Sequence, residues 1–375
     1  MAYILLFVIS TALVYCSEWL YKNGKGRLSA AVGILMVVAI SIFAGMRAIG
    51  VGTDTEYYLV NHYNWAQEYR CQFPQFVSYM YGYEEVDLLY IVLLYISANF
   101  FKNIHVLMFA LSLITNLFVY LALVKKRNQA SVVTGWMIYC FIFYNTSLNI
   151  MRQSCAIAIL FYAMVAYDEK KISIKNAIAL GVMAFCFHRS AMLAMVILLT
   201  IFLFNSKKEY RRLLVAITLI LCAFPFVFEI ITPLVKNLTI LPIRYRIYFD
   251  IENSEQSTVL LETIIYAVPT IGLLVSAYKC REKNINQYTS LGLICVSSYL
   301  RTNLIMSRLS YYFVIFFAVS VPVSAKIIAD IIMKKKKELK VRVLYEAMII
   351  LCFVFLWGID IVWFNYGQTY PYMIG

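Results

Sequence analysis

Apolar stretches of about 20 residues, the length an α-helix needs to cross a bilayer, recur along the whole chain, and clusters of lysine and arginine punctuate every second gap between them. A water-soluble fold cannot accommodate this pattern, because helices that are apolar all round must be buried or lie in lipid. Of the 375 residues, 62% are hydrophobic and 14% charged, against roughly 45–50% and 25% in an ordinary soluble domain. Intrinsic disorder, a secreted disulfide scaffold and a soluble enzyme are therefore excluded. The expected fold class is all-α: a polytopic membrane protein, a single transmembrane domain over 1–375. About 12 transmembrane helices are expected, near 2–21, 28–46, 104–124, 131–149, 152–167, 175–188, 190–205, 212–230, 259–278, 287–304, 308–331 and 343–364.

The formal charge is +13, and the clusters account for most of it without any nucleic-acid partner. They are Lys22/Lys25/Arg27, Lys125/Lys126/Arg127, Lys170/Lys171/Lys175, Lys207/Lys208/Arg211/Arg212, Lys279/Arg281/Lys283, and Lys334 to Lys337 with Lys340 and Arg342. Placing all six in the cytoplasm follows the positive-inside rule and leaves both termini outside. The apolar run 86–101 then has to be a re-entrant or interfacial helix, since a full crossing there would reverse everything after it. Two longer external loops, about 47–86 and 231–258, are polar and aromatic. The N-terminus lacks a basic region ahead of its apolar run and reads as a first span, not as a cleaved signal peptide. Nine cysteines occur without a C-x-x-C pair and three histidines without metal-ligand spacing, so neither a metal nor any other cofactor is expected.

Ten basic residues fall on the expected external side, and eight of them are arginine: Arg47, Arg70, Arg152, Arg189, Arg244, Arg246, Arg301 and Arg308. Membrane topology needs positive charge and is indifferent to which residue supplies it. Arginine offers something more, a planar fork that grips phosphate through paired hydrogen bonds. The plainer alternative is pairing with external acids, Asp54, Glu56, Glu84, Glu85, Asp87, Asp250, Glu252 and Glu255 among them.

Four local patterns carry possible chemistry. After the second span comes Arg47-Ala-Ile-Gly50-Val-Gly52-Thr53-Asp54-Thr55, where glycines let the backbone turn tightly. Asp54 there is either a proton acceptor for a sugar hydroxyl or an Asx-turn that closes the loop. Asn149-Ile-Met-Arg152-Gln153 starts a span descending from outside. Phe187-His188-Arg189-Ser190 follows a helix only about 18 Å long, which sets His188 in a recess, where it is a base, a donor or a satisfied structural residue. Arg301 and Arg308 flank the turn between two late spans, with Tyr311 just beyond.

Together and in this order, these patterns resemble those of the EpsG-like branch of the Wzy-type bacterial polysaccharide polymerases. The carrying features are Arg47…Gly50-Val-Gly-Thr-Asp54-Thr…Tyr57, Asn149…Arg152-Gln153, Phe187-His188-Arg-Ser190 and Arg301…Arg308…Tyr311. The resemblance implies a metal-independent, GT-C-like membrane glycosyltransferase facing outward from the bacterial cytoplasmic (inner) membrane. Its substrate would be oligosaccharide repeat units on undecaprenyl pyrophosphate, delivered by a flippase, with a chain-length regulator as a further partner. On this reading Arg152, Arg301 and Arg308 hold the pyrophosphate, and Arg47 assists them or holds the Asp54 loop. His188 is the first choice for the base and Asp54 the second; Gln153, Arg244, Arg246 and Tyr311 contact substrate. The rival readings are a flippase or transporter of lipid-linked oligosaccharide, a glycan ligase, and an acyltransferase built on His188.

Overall fold

The structure, a computed structural model, describes residues 1–205, 210–236, 256–279, 283–300, 304–332 and 338–375. Among them every regular element is helical, and one isolated antiparallel bridge joins Arg47 to Ile374. The chain forms two compact units, Met1–Val196 with Trp357–Gly375, and Ile197–Leu356.

The first unit begins with α1 (Ala2–Lys22) and α2 (Gly26–Gly45). Two short helices, α3 (Val60–Glu68) and α4 (Phe73–Gly82), occupy the expected external loop. α5 (Leu88–Ile96) runs on through a wider π-helical turn, Ser97–Phe101. Then come α6 (Ile104–Lys125), α7 (Val132–Tyr139), α8 (Asn145–Asn149), α9 (Met151–Asp168) and α10 (Ile174–Phe187). α11 (Ala191–Asn205) carries the chain into the second unit.

In lipid the hydrophobic effect does not pull helices together, so close packing and interhelical hydrogen bonds set their register. Gly33 shows the first device: a Cβ there would run into the end of the Tyr120 side chain, so glycine leaves room for that ring between α2 and α6. Buried polar side chains supply the second. Ser17 Oγ donates to the Ser29 carbonyl at 2.9 Å and lies 2.9 Å from Tyr120 Oη. Tyr139 donates to Asn116 Oδ1 at 2.6 Å, Asn116 Nδ2 to Ser41 Oγ at 3.0 Å, and the Trp136 indole to Ser10 Oγ at 3.1 Å.

Ion pairs fix which helix ends lie together. Arg127 binds Glu18 at 2.9 Å and covers the Tyr21 ring. Lys126, fully buried, reaches both Asp168 and Glu169 at 2.5 Å. Three of the six basic clusters thus gather at one end of this unit, next to Lys22, Arg127 and Lys170. Lys126→Met is expected to lower stability by about 3 kcal/mol or more, because two nearly buried carboxylates lose the cation they share; the midpoint of thermal unfolding in detergent measures it.

At the opposite end, His105 Nδ1 lies 2.7 Å from the Gly45 carbonyl. α6 therefore starts where α2 stops, and residues 46–103 leave and return on one side. The helix Leu88–Phe101 has 14 residues and a length of roughly 21 Å, short of the roughly 30 Å core. Ile150, with ψ +51, breaks the helix between α8 and α9.

In the second unit, α12 (Arg211–Lys236), α13 (Gln256–Lys279), α14 (Lys283–Tyr299), α15 (Leu304–Val314), α16 (Phe317–Ile332) and α17 (Glu338–Trp357) pack by the same means. Asn205 donates to Gln287, Thr218 to Ser290 at 2.9 Å, and Tyr266 stacks on Phe317. Among the described residues, six helices are long and apolar enough to cross a membrane, or seven if the pair Met306–Val314 and Phe317–Ile332, bent by 48°, is one span. The other expected spans are shorter helices, such as Ile174–Phe187 and Ala191–Asn205, or more polar ones: α9 carries Arg152, Gln153 and Asp168 in 18 residues.

Candidate functional site

Arg47, like Lys126, has no exposed surface. Its guanidinium donates to three main-chain carbonyls, Ala44 at 2.5 Å, Leu148 at 2.9 Å and, through Nε, Val51 at 3.2 Å. Burial lowers its pKa to about 10, which still leaves it charged at neutral pH. From Nη2 it also reaches the Thr55 hydroxyl at 3.4 Å and the Met151 sulfur at 3.0 Å, so its donors are spent on the segments that enclose it.

The loop that follows Arg47 is pinned from two further sides. Asn149 Oδ1 accepts both Thr53 Oγ1–H and the Asp54 N–H at 2.9 Å. The Gly52 N–H donates to the Gln368 carbonyl at 2.9 Å, and Gly52 sits at φ +102, a conformation that favours glycine. The C-terminal residues lie across the same place as a strap. Ala48 N–H donates to Met373 O at 2.7 Å and Gly375 N–H to Met46 O at 3.1 Å. Tyr3 and Tyr372 donate to Thr369 O and Phe43 O, both at 2.6 Å. A π-helical turn, Thr55–Leu59, follows Asp54 at once; such turns are common at functional sites.

A charged cluster forms where α5, α9 and the α10–α11 link meet. Asp87, extended at ψ +147, precedes α5. One of its oxygens is 3.4 Å from Arg189 Nε and the other 3.8 Å from an Arg152 nitrogen. Arg152 also lies over the Tyr90 ring and Arg189 over the Tyr81 ring. The carboxylate side chain is 7% exposed, whereas Arg152 and Arg189 are 27% and 35% exposed. An arriving anion therefore meets the two guanidinium groups before the carboxylate beneath them. Burial pushes the Asp87 carboxyl up to about 6, against the opposing pull of Arg152 and Arg189. At neutral pH two cations face one anion, and one positive charge is left over.

Beside this cluster lies a hollow of about 340 Å³, lined by Asp87 and Arg189 at a charged edge and by Val77, Tyr81, Leu88 and Phe185 on an apolar wall. Tyr90 links the cluster to the Asp54 loop. Its phenol, raised in pKa first by burial, feels Arg152 on one side and Asp54 on the other, and its hydroxyl lies 3.3 Å from His62 Nδ1.

His188 interrupts the helices at φ −160, ψ +123. Its Nδ1 accepts the Ser190 N–H at 3.3 Å and lies 2.7 Å from Ser190 Oγ. An accepting Nδ1 leaves the proton of a neutral ring on Nε2.

Of the other residues singled out from the sequence, Gln153 is 3% exposed within the packing of α9. Arg308 and Tyr311 lie about one turn apart on α15 in the second unit. Arg244, Arg246 and Arg301 lie outside the described residues. Asp87, Tyr90 and Tyr81 were not singled out for the site; an acid directly before an apolar run that cannot cross was the available signal for Asp87. Among the described residues no group of three or more His, Cys, Asp or Glu side chains that could hold a metal comes together.

The model of the EpsG family matches residues 31–374, nearly the whole chain. No curated protein and no solved structure matches.

Proposed function

The chain belongs to the EpsG family, a Wzy-like polysaccharide polymerase family, and on that premise we propose that it is a membrane glycosyltransferase that joins oligosaccharide repeat units carried on undecaprenyl pyrophosphate. The reaction takes place on the outer face of the bacterial inner membrane. The shorter helices complete about 12 crossings in a GT-C-like arrangement. A flippase supplies the substrate, and a chain-length regulator acts with the enzyme.

The observation that carries this reading is the Arg152–Asp87–Arg189 cluster, with its leftover positive charge beside an apolar-walled hollow. A lipid diphosphate has the matching form, two phosphates on an apolar tail. In the transfer, the acceptor hydroxyl oxygen bonds to the anomeric carbon of the donor sugar. The bond from that carbon to the diphosphate oxygen breaks, and its electron pair stays on the phosphate. Arg152 and Arg189, fixed in a partly desolvated site, stabilise the charge that develops there, so the enzyme is metal-independent. Asp54 takes the hydroxyl proton and the His188 Nε2–H donates a hydrogen bond to a substrate oxygen. Arg308 remains a candidate for anion contacts, as do Arg301, Arg244 and Arg246, with Tyr311 for sugar.

The test is to incubate purified protein with lipid-linked repeat units and follow the products as a ladder. Asp54→Asn is expected to slow laddering by about 10²–10⁴-fold with donor binding kept, and His188→Ala to act less severely. Full-rate laddering by Asp54→Asn would sink the base assignment, and absence of any ladder from the unaltered protein would sink the function.

A further inference from the structure

Asp87 is placed to do more than orient its neighbours. Its two oxygens face guanidinium groups from different segments, at 3.4 Å and 3.8 Å. Both distances are longer than tight charge-assisted hydrogen bonds, which fall near 2.7–2.9 Å. The pairs are thus attracted without being locked, and both cations keep open faces. A diphosphate drawn to these arginines comes close to a carboxylate of its own sign.

We propose that Asp87 is a displaceable counter-charge, a positioning residue that holds Arg152 and Arg189 ready and then competes with the diphosphate for them, so that the leaving group does not remain bound. This rests on the reading that the arginine pair binds the lipid diphosphate. The donor is a diphosphate diester with two negative charges, and cleavage gives a terminal phosphate that carries an additional one near neutral pH. A fixed anion beneath the arginines repels the product more than the donor. Release is favoured over retention, as repeated addition requires.

Asp87→Asn keeps the shape and removes the charge. The probe is farnesyl diphosphate esterified to one hexose, whose two charges persist between about pH 5 and pH 8, measured against the full-length protein in nanodiscs. Asp87→Asn is expected to bind this probe about tenfold tighter, the ratio that about 1.4 kcal/mol supplies. In the ladder assay kcat and KM should fall together, as slow product release dictates. Asp87→Glu, which restores the charge, should restore the weaker affinity.

The unaltered protein gives a second reading that needs no variant. Because the folded Asp87 carboxyl titrates near 6, lowering the pH through that value neutralises it and should tighten the probe; in Asp87→Asn that step should vanish. The other titratable or charged groups near the cluster are Arg152, Arg189, Tyr81, Tyr90, His188, Cys186, Glu84, Glu85 and, through Tyr90, His62 and Asp54. A step that persists in Asp87→Asn belongs to another group and overturns the proposal. Equal or weaker probe affinity in Asp87→Asn, or a loss of kcat at constant KM, overturns it as well. Arg189→Ala separates this outcome from a wrong site: if its probe affinity equals that of the unaltered protein, the arginine pair is not the diphosphate site, and the broader reading fails.

Discussion

Arg152→Ala and Arg189→Ala, each made alone, are expected to cut chain growth by about 10²–10³-fold, the usual cost of removing one preorganised group facing developing charge. The loss belongs to chemistry and not to folding, because both side chains are partly exposed and neither holds main-chain groups in place. Membrane abundance and the unfolding midpoint should stay near those of the unaltered protein. Arg152→Lys should recover only part of the rate, since an ammonium keeps the charge and loses the planar fork. Measured as product ladders from equal amounts of protein, full chain length in both alanine variants would remove the arginine pair from the mechanism.

Arg47→Met should fail in a different way. It takes every guanidinium donor from the Ala44, Val51 and Leu148 carbonyls, each of which then stays buried without that partner at about 1–3 kcal/mol. A loss on the order of 5 kcal/mol is expected, read as a large drop in the thermal midpoint in detergent. Chain growth should fall in proportion to folded protein. A variant with an unchanged midpoint but weakened diphosphate binding would return Arg47 to the anion site that its place in the sequence suggested.

The contrast between these two arginines shows what was legible in the sequence. Apolar runs and basic clusters describe one dimension, position along the bilayer normal. They correctly gave an all-helical membrane chain, and they put Lys22, Lys126 and Lys171 at one end, as the Glu18, Asp168 and Glu169 contacts require. The motif order was legible too, and it led to the family. Lateral neighbourhood was not. Whether an arginine at a helix end turns inward to peptide oxygens, as Arg47 does, or outward beside a hollow, as Arg189 does, depends on which segments lie next to it. Asp87 is far in sequence from both its partners, and no local spacing marks them as neighbours. The hydrogen bond at His188 Nδ1 escaped for a related reason: it comes from a backbone N–H two residues on, presented by a helix break that local spacing does not mark.

The strap of residues 366–375 gives the first unit a temporal order. The ribosome makes this segment after every helix described here, yet it bonds to the turn that follows the second one. Throughout insertion, then, the Asp54 turn lacks the Gln368 and Met373 bonds that later seat it. These bonds are the last the turn can gain, so a half-made chain carries its apolar helices with this turn still unseated.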